Sequence, residues 1–314
     1  MKNTFSYDVK HEILAIRYDA SCCAISSLCA IFESLGEVVL KRGGFTLSLG
    51  IDHDDMFEFV VETIEKFYGK LDGKINIFET QHMGNVRREI VFDATLGKQL
   101  LFDTGIVSLE DGGLHINSEL ERTLLVEDCC KIAFLSHAFA AAGSISLPVA
   151  GKSGYHMEWA LSKKHMAEEI MNLLAEFEVL PKLVKRGDKW IVYLKDRDVI
   201  LDLIGRFGAG KGMLKMAEMS LEKDMLNRIN RDANCVSANI SKTVDASAKQ
   251  IAAINIICDT IGMDALSQPL RSAAEERQKD PSASLLVLAE RLGISKSAVR
   301  ARFDSIIALS ETLK

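Results

Sequence analysis

The chain of 314 residues has only 4 prolines and contains no low-complexity tract. Disordered segments are usually rich in proline, serine and charged residues, so this composition predicts little disorder. No apolar run approaches the length of about 20 residues that a membrane-crossing helix needs. The amino-terminal stretch MKNTFSYDVKHEILAIRYD carries charges throughout, unlike a secretory signal peptide. We therefore expect a cytoplasmic protein without membrane contact.

The seven cysteines are an odd number and lack the spacing of a disulfide framework. This usage predicts a reducing cytosol, in which thiols act as small buried apolar groups. A metal or redox site is the alternative interpretation for residues in two helical segments, namely Cys22, Cys23, Cys29, Cys129, Cys130 and His137. Adjacent cysteines do not match the ligand spacing of structural zinc sites, so we expect buried packing and no metal.

An excess of positive charge is also missing, since the net charge is −6. The average therefore does not indicate a nucleic-acid-binding protein, but the charge is unevenly distributed. Residues 222–314 contain 13 basic and 12 acidic residues, whereas the rest of the chain contains 25 basic and 32 acidic ones. The carboxyl-terminal third therefore has a net charge of +1, whereas the rest of the chain has a net charge of −7.

One apolar segment occurs twice, as CCAISSLCAIFESLG (22–36) and CCKIAFLSHAFAAAG (129–143). A strand and a helix follow each copy, with FTLSLGI (45–51) matching YHMEWAL (155–161). The period of about 110 residues predicts two α+β half-domains related by a pseudo-twofold axis, with repeats at about 20–100 and 128–205 of a domain 1–205. Small residues let helices approach closely, so we expect the repeated helices to cross near Ala30 and Ala138.

Two helices of small residues that each end in glycine resemble the LAGLIDADG homing endonucleases. The matching segments are LCAIFESLG (28–36) and LSHAFAAAG (135–143). In that family the residue before the last glycine is acidic in both copies and holds the catalytic metal. Here those positions are Leu35 and Ala142, which offer no oxygen ligand. We therefore expect no catalytic residue, no metal and no cofactor, and a nuclease remains the unfavoured alternative.

The segment LLVLAERLGISKSAVRARFD (285–304) fits a helix-turn-helix pattern. Ala289 is the small residue at the helix crossing, Gly293 lies in the turn, and Val299 anchors the second helix. We predict that this motif spans Ser282–Leu313 in an all-α domain 225–314. Its candidate DNA-binding residues are Ser295, which caps the second helix, and Lys296, Ser297, Arg300 and Arg302.

Other basic residues are candidates for secondary DNA contacts. Arg228, Arg231 and Lys242 lie in an asparagine-rich helical stretch, whose Asn227, Asn230, Asn234 and Asn239 either bind phosphates or a partner, or cap short helices. Lys182, Lys185 and Arg186 lie in a predicted hairpin that is either a second DNA surface or a solvated turn. The segment GRFGAGKG (205–212) lacks the Ser or Thr of a phosphate-binding loop, so we predict no small-molecule ligand. We predict a hinge at residues 206–224, which overlap this segment.

The whole chain resembles the bacterial WhiA regulators. The matching stretches are NRDANCVSANISKT (230–243), YHMEW (155–159), AAAGSISLP (140–148) and ISKSAVRARF (294–303). The resemblance implies a degenerate LAGLIDADG domain joined to a helix-turn-helix domain, and a role in sporulation control and cell division. The family usually has an Arg-Gly pair where this chain has Ser136 and His137, so a contact carried by that arginine is in doubt here.

We therefore expect a non-catalytic, sequence-specific regulator that binds double-stranded DNA at the nucleoid and acts in cell division, chromosome segregation or sporulation-type transcription. A sigma factor or another transcription regulator is a possible partner. The alternative from another class is a division-associated structural protein that binds DNA with weak sequence specificity.

Overall fold

The structure is a computed structural model that describes residues 4–41, 44–82, 85–110, 113–117, 119–148 and 154–313. The chain forms two compact units, Met1–Ser220 and Leu221–Lys314. Among the described residues, no helix is both long enough and apolar enough to cross a membrane.

The first unit contains the predicted repeat. After α1 (Phe5–Leu14), the first copy consists of α2 (Ser21–Leu35), β1 (Gly36–Lys41), β2 (Gly44–Ile51), α3 (Asp54–Tyr68), β3 (Ile75–His82), β4 (Asn85–Phe92) and α4 (Ala94–Asp103). A hairpin, β5 (Val107–Glu110) and β6 (Gly113–Ile116), and a 3₁₀ turn (Arg122–Leu125) follow. The second copy consists of α5 (Asp128–Ala142), β7 (Gly143–Ser146), β8 (His156–Leu161), α6 (Lys164–Glu176), β9 (Lys182–Arg186), β10 (Lys189–Leu194) and α7 (Arg197–Arg206).

The two copies have the same sheet topology. Their antiparallel sheets have the strand orders β1-β2-β4-β3 and β7-β8-β10-β9. Because element order and strand order agree, the prediction of two α+β repeats is confirmed. The predicted strand 155–161 begins one residue later, at His156.

The paired helices α2 and α5 form the centre of this unit and pack extensively against each other. Ala30 and Ala138 are both fully buried, as expected of small residues in a close helix pair. Each helix passes directly into a strand at a glycine, because neither position has room for a side chain. A Cβ atom on Gly143 would lie 2.1 Å from Cδ2 of Phe139, and one on Gly36 would lie 2.5 Å from the backbone oxygen of Phe32.

Polar and apolar residues of β2 are buried alike, because Thr46 and Ser48 are buried as well as the apolar residues beside them. The Thr46 hydroxyl lies 2.8 Å from the carbonyl oxygen of Phe92, and the Ser48 hydroxyl donates to Glu89 over 2.8 Å. α4 packs against this part of β2. The contact with α4 therefore explains why polar residues of this strand are buried.

The second unit is all helical, as predicted. Its elements are the major part of α8 (Gly210–Thr260), followed by α9 (Gln268–Lys279), α10 (Leu285–Leu292) and α11 (Lys296–Thr312). Its core contains Ile254, Ile257, Leu288, Val299, Phe303 and Ile306. The segment 206–224, predicted as a hinge, is helical from Gly210 onward, so its glycines do not break α8.

Candidate DNA-binding surface

The turn between α10 and α11 has the geometry that the sequence predicted. Gly293 has φ 62° and ψ 32°, the left-handed conformation that glycine adopts without strain. The N–H of Ile294 donates to the carbonyl oxygen of Ala289 over 3.0 Å, which closes the end of α10. Ala289 and Val299 are buried, and the prediction of a helix-turn-helix fold is confirmed.

Ser295 caps α11, because its hydroxyl oxygen accepts a hydrogen bond from the N–H of Ala298 at 3.2 Å. The capped first turn carries Lys296 and Ser297, both exposed, and the Ser297 hydroxyl lies 2.9 Å from that of Ser295. Arg300 follows one turn later and is also exposed. At about 100° per residue, Lys296 and Arg300 lie within about 40° of each other on the solvent side.

Arg302 lies on the flank of the same helix and is half-buried. Among the described residues, no ion pair involves Lys296, Arg300 or Arg302. Arg291, by contrast, is already paired with Asp280 over 3.0 Å. Three of the four basic residues of this motif therefore remain for an anionic partner.

A buried arginine, which the sequence did not indicate, packs against the helix-turn-helix. Arg277 in α9 is 1% exposed, and its Nε donates to the side-chain oxygen of Gln250 over 2.9 Å. Its Nη1 donates to the carbonyl oxygen of Ala283 over 2.5 Å, and its guanidinium lies 5.3 Å from the Phe303 ring centre. Burial lowers the pKa of Arg277. In the charged stretch EERQKD, no sequence signal separates this arginine from its solvated neighbours.

The secondary candidates on α8 form one stripe. Arg228, Arg231 and Lys242 are exposed, as is every residue from 224 to 242. Helical geometry places the three within about 60° of each other along about 21 Å of helix. The four nearby asparagines lie inside this continuous helix, so the alternative that they cap short helices is wrong.

The basic hairpin β9–β10 divides its cations between two faces. Lys182 and Arg186 lie on the open face of the sheet, whereas Trp159 and Val192 lie on the buried face that packs against the core. Lys185 lies on the same face as Trp159 and Val192, with its ammonium group 5.3 Å from the Trp190 ring centre. Only two of the three predicted contacts therefore share the open face of the sheet.

That open face also carries a hydrogen-bonded pair. The His156 ring and the Glu158 carboxylate are 2.9 Å apart, within hydrogen-bond distance.

The carboxyl-terminal ends of the repeat helices lack the acids of a nuclease. Leu35 and Ala142 are the last residues of α2 and α5. In the part of the chain that the structure describes, no group of three potential metal ligands lies at these ends. Glu33, the buried acid nearby, is 3% exposed in its side chain, and its carboxylate bonds Lys163 at 2.8 Å and His165 at 3.3 Å. Burial raises the pKa of Glu33, but these two partners outweigh it and hold the pKa below its ordinary value.

The cysteines at the opposite end of the helix pair differ from expectation. Cys23 and Cys130 are buried, but Cys22 and Cys129 are exposed, so the prediction of buried packing is wrong for two of the four. The sulfur atoms of Cys22, Cys23 and Cys130 all lie within 4.8 Å of one another. Burial raises the pKa of the Cys130 thiol to about 11 and that of Cys23 further.

Ser136 and His137, which replace the family's Arg-Gly pair, are buried inside the first unit. Neither side chain reaches solvent, so this part of α5 offers no DNA contact.

Comparison with known proteins extends the likeness to the whole chain. Residues 229–310 match the family model described as the WhiA C-terminal HTH domain, and residues 131–226 match the WhiA LAGLIDADG-like domain. A protein from Clostridium tetani named probable cell division protein WhiA is 32% identical over 99% of this chain and 98% of its own length. A relative of the same name from Alkaliphilus metalliredigens is 30% identical over 98% of each chain. The crystal structure of full-length DUF199/WhiA from Thermatoga maritima superposes with a TM-score of 0.59 at 19% identity and covers 98% of both chains.

Proposed function

The chain belongs to the WhiA family, and on that premise we propose that it is a sequence-specific DNA-binding regulator without enzymatic activity. The observation that carries the proposal is the capped, cationic first turn of α11. Lys296 and Ser297 in that turn and Arg300 one turn later are exposed on a three-helix core, and no acid of the described residues pairs with either cation. This is how a recognition helix presents its amino-terminal turns to the major groove.

The cellular context of the proposal comes from the relatives, which are named probable cell division proteins. We place the protein in the cytoplasm, where it binds the chromosome and regulates genes of cell division or sporulation-type differentiation. A sigma factor or another regulator is the partner that a transcriptional role requires. The exposed cations of α8 and the open face of β9–β10 add affinity without sequence preference.

The different positions of Arg300 and Arg302 allow a sharp test. Arg300 faces solvent beside Lys296 and is placed to bond guanine O6 and N7, whereas Arg302 lies on the flank and is placed to touch a phosphate. A binding site is first selected from random DNA with the wild-type protein. Arg300→Ala then costs about 1–3 kcal/mol on the selected duplex and much less on random duplex. Arg302→Ala weakens binding to both duplexes alike and lowers the salt slope by about one unit.

Fluorescence anisotropy at two salt concentrations measures both variants, and Arg291→Ala serves as a control because Arg291 already bonds Asp280. Equal losses on both duplexes for Arg300→Ala would remove this residue from base recognition. Failure to select any sequence would favour the alternative of a division-associated protein with weak specificity.

The absence of catalysis rests on Leu35 and Ala142, which provide no metal ligand at the ends of α2 and α5. Incubation of the protein with supercoiled DNA and Mg²⁺ is expected to leave the DNA intact. Nicking that copurifies with the protein and disappears with Glu33→Gln would contradict the proposal, because Glu33 is the buried acid nearest these helix ends.

A further inference from the structure

Four cysteines meet where the amino-terminal ends of α2 and α5 come together. Cys22 and Cys23 lie in the first turn of α2, and Cys129 and Cys130 lie in the first turn of α5. The sequence repeat matches Cys22 with Cys129 and Cys23 with Cys130. A pseudo-twofold axis between the two helices therefore brings the pairs to one point.

The sulfur atoms follow this symmetry. The Cys22 thiol interacts with that of Cys130, and the symmetry-related contact joins Cys23 to Cys129. Cys129 and Cys130 have their sulfur atoms 4.0 Å apart. Cys22, Cys23 and Cys130 have theirs within 4.8 Å. The four thiols thus form a ring in the order Cys22, Cys130, Cys129, Cys23, and Cys23 and Cys130 are also close across it.

The packing of small apolar groups explains only two of these four cysteines. Cys23 and Cys130 are buried beside Ala133 and contribute as small apolar groups. Cys22 and Cys129 are exposed, and an exposed thiol gains little from packing while it is open to oxidation. Two exposed thiols placed on opposite corners of the ring are explained by a shared ligand between the four sulfurs.

We propose that Cys22, Cys23, Cys129 and Cys130 form a tetrathiolate site for one thiophilic divalent cation of the Zn²⁺ type, which fastens the two repeats together. Soft thiolate ligands select such cations over Mg²⁺ or Ca²⁺. A Zn–S bond of about 2.3 Å in tetrahedral geometry separates neighbouring sulfurs by about 3.8 Å. The three sulfurs that lie within 4.8 Å of one another need a contraction of about 1 Å or less, and rotation of the exposed Cys129 side chain brings the fourth sulfur to the same centre.

The surroundings suit a site that becomes negatively charged. Each bound thiol loses its proton to solvent, so four thiolates and one Zn²⁺ carry a net charge of −2. Neither helix has a side-chain cap at Ala20 or Glu127, and the backbone N–H groups of Cys22 and Cys23 point to the Cys22 sulfur. The positive ends of two helix dipoles meet here and offset part of the burial that raises the pKa of Cys23 and Cys130. Lys131 forms ion pairs with Asp128 and Glu176, so its ammonium group does not take the place of a metal ion beside the sulfurs.

The test uses the full-length chain, reduced and freed of metal by a chelator, with Co²⁺ as a spectroscopic probe. The expected result is uptake of one Co²⁺ per chain, with sulfur-to-cobalt charge-transfer bands and the visible bands of tetrahedral cobalt, and displacement by one Zn²⁺. Cys22→Ser with Cys129→Ser removes two ligands without disturbing the buried half and should weaken binding at least 100-fold. Cys235→Ser, an exposed cysteine outside the ring, is the matched control and should bind as the wild type does.

Melting of the same proteins gives a second readout. Zn²⁺ should raise the melting temperature of the wild type and of Cys235→Ser, and leave that of the double variant unchanged. The absence of a thiolate-to-cobalt band in the wild type would overturn the proposal, and so would equal affinity in the double variant. Since none of these measurements involves DNA, they leave the proposed regulatory function untouched.

Discussion

His137 should make the stability of the first unit depend on pH. Its side chain is fully buried, 4.4 Å from the Phe59 ring and 5.7 Å from the Tyr18 ring, measured between ring centres. Nδ1 lies 2.9 Å from the carbonyl oxygen of Ala133, so Nδ1 carries the proton and donates it there. Nε2 is buried and has no hydrogen-bond partner among the described residues. A second proton on Nε2 would place an unpaired charge in the apolar centre.

The size of the effect follows from the two protonation states. Burial lowers the pKa of His137 to about 4, whereas an unfolded histidine titrates near 6.5. The unfolded chain therefore takes up a proton that the folded chain refuses, and stability falls as pH drops from about 6.5 to about 4. One unit of pKa corresponds to about 1.36 kcal/mol, so the full loss is about 3 kcal/mol, and about 2 kcal/mol of it has occurred by pH 5.

Urea unfolding at pH 7, 6 and 5 measures this loss. Both tryptophans, Trp159 and Trp190, lie in the first unit, so their fluorescence reports that unit alone. His137→Leu removes the titrating group at similar volume and should lose about 2 kcal/mol less than the wild type between pH 7 and pH 5. His115→Leu, at an exposed histidine, is the control and should follow the wild type. Parallel curves for the wild type and His137→Leu would refute the reasoning.

Three further substitutions test other parts of the structure. Ala138→Leu overpacks the contact of α2 with α5 and should cost about 1–3 kcal/mol, so an unchanged melting temperature would place Ala138 away from that contact. Ser295→Ala removes the cap of α11 and should cost about 1 kcal/mol in chemical denaturation of the second unit. Lys163→Met leaves the Glu33 carboxylate with His165 alone and should cost about 1–3 kcal/mol at pH 7, below the range for fully buried pairs because Lys163 is 40% exposed. If Lys163→Met is as stable as the wild type, the ion pair contributes nothing.

The features that the sequence predicted well are those set by local chemistry or by repetition. Two copies of one helix ending in glycine predicted the pair α2 and α5, because small residues and a required glycine are readable without knowing the partner. The helix-turn-helix was equally readable, since Gly293 and Ser295 define a turn and a cap by their own conformational preferences.

The features that the sequence missed depend on what covers a residue from elsewhere in the chain. Thr46 belongs to an alternating strand, and its burial follows only from the placement of α4 against β2. Arg277 is similar, because its three partners come from α8, from the loop before α10 and from α11. Helical periodicity alone also did not show that one thiol of each cysteine pair faces solvent, so the prediction of buried packing was wrong for Cys22 and Cys129.

The helix pair α2 and α5 has different chemistry at its two ends, and the symmetry of the fold explains why. Because a pseudo-twofold axis relates the two copies, a residue type that occurs at the same position of both copies forms a symmetric pair where the helices meet. At the carboxyl-terminal ends the duplicated positions are Leu35 and Ala142, which offer a metal nothing. At the amino-terminal ends the duplicated positions are cysteines, which in our proposal bind a soft cation. The amino-terminal ends of α2 and α5 would then hold a soft cation that stabilises the contact between the two repeats.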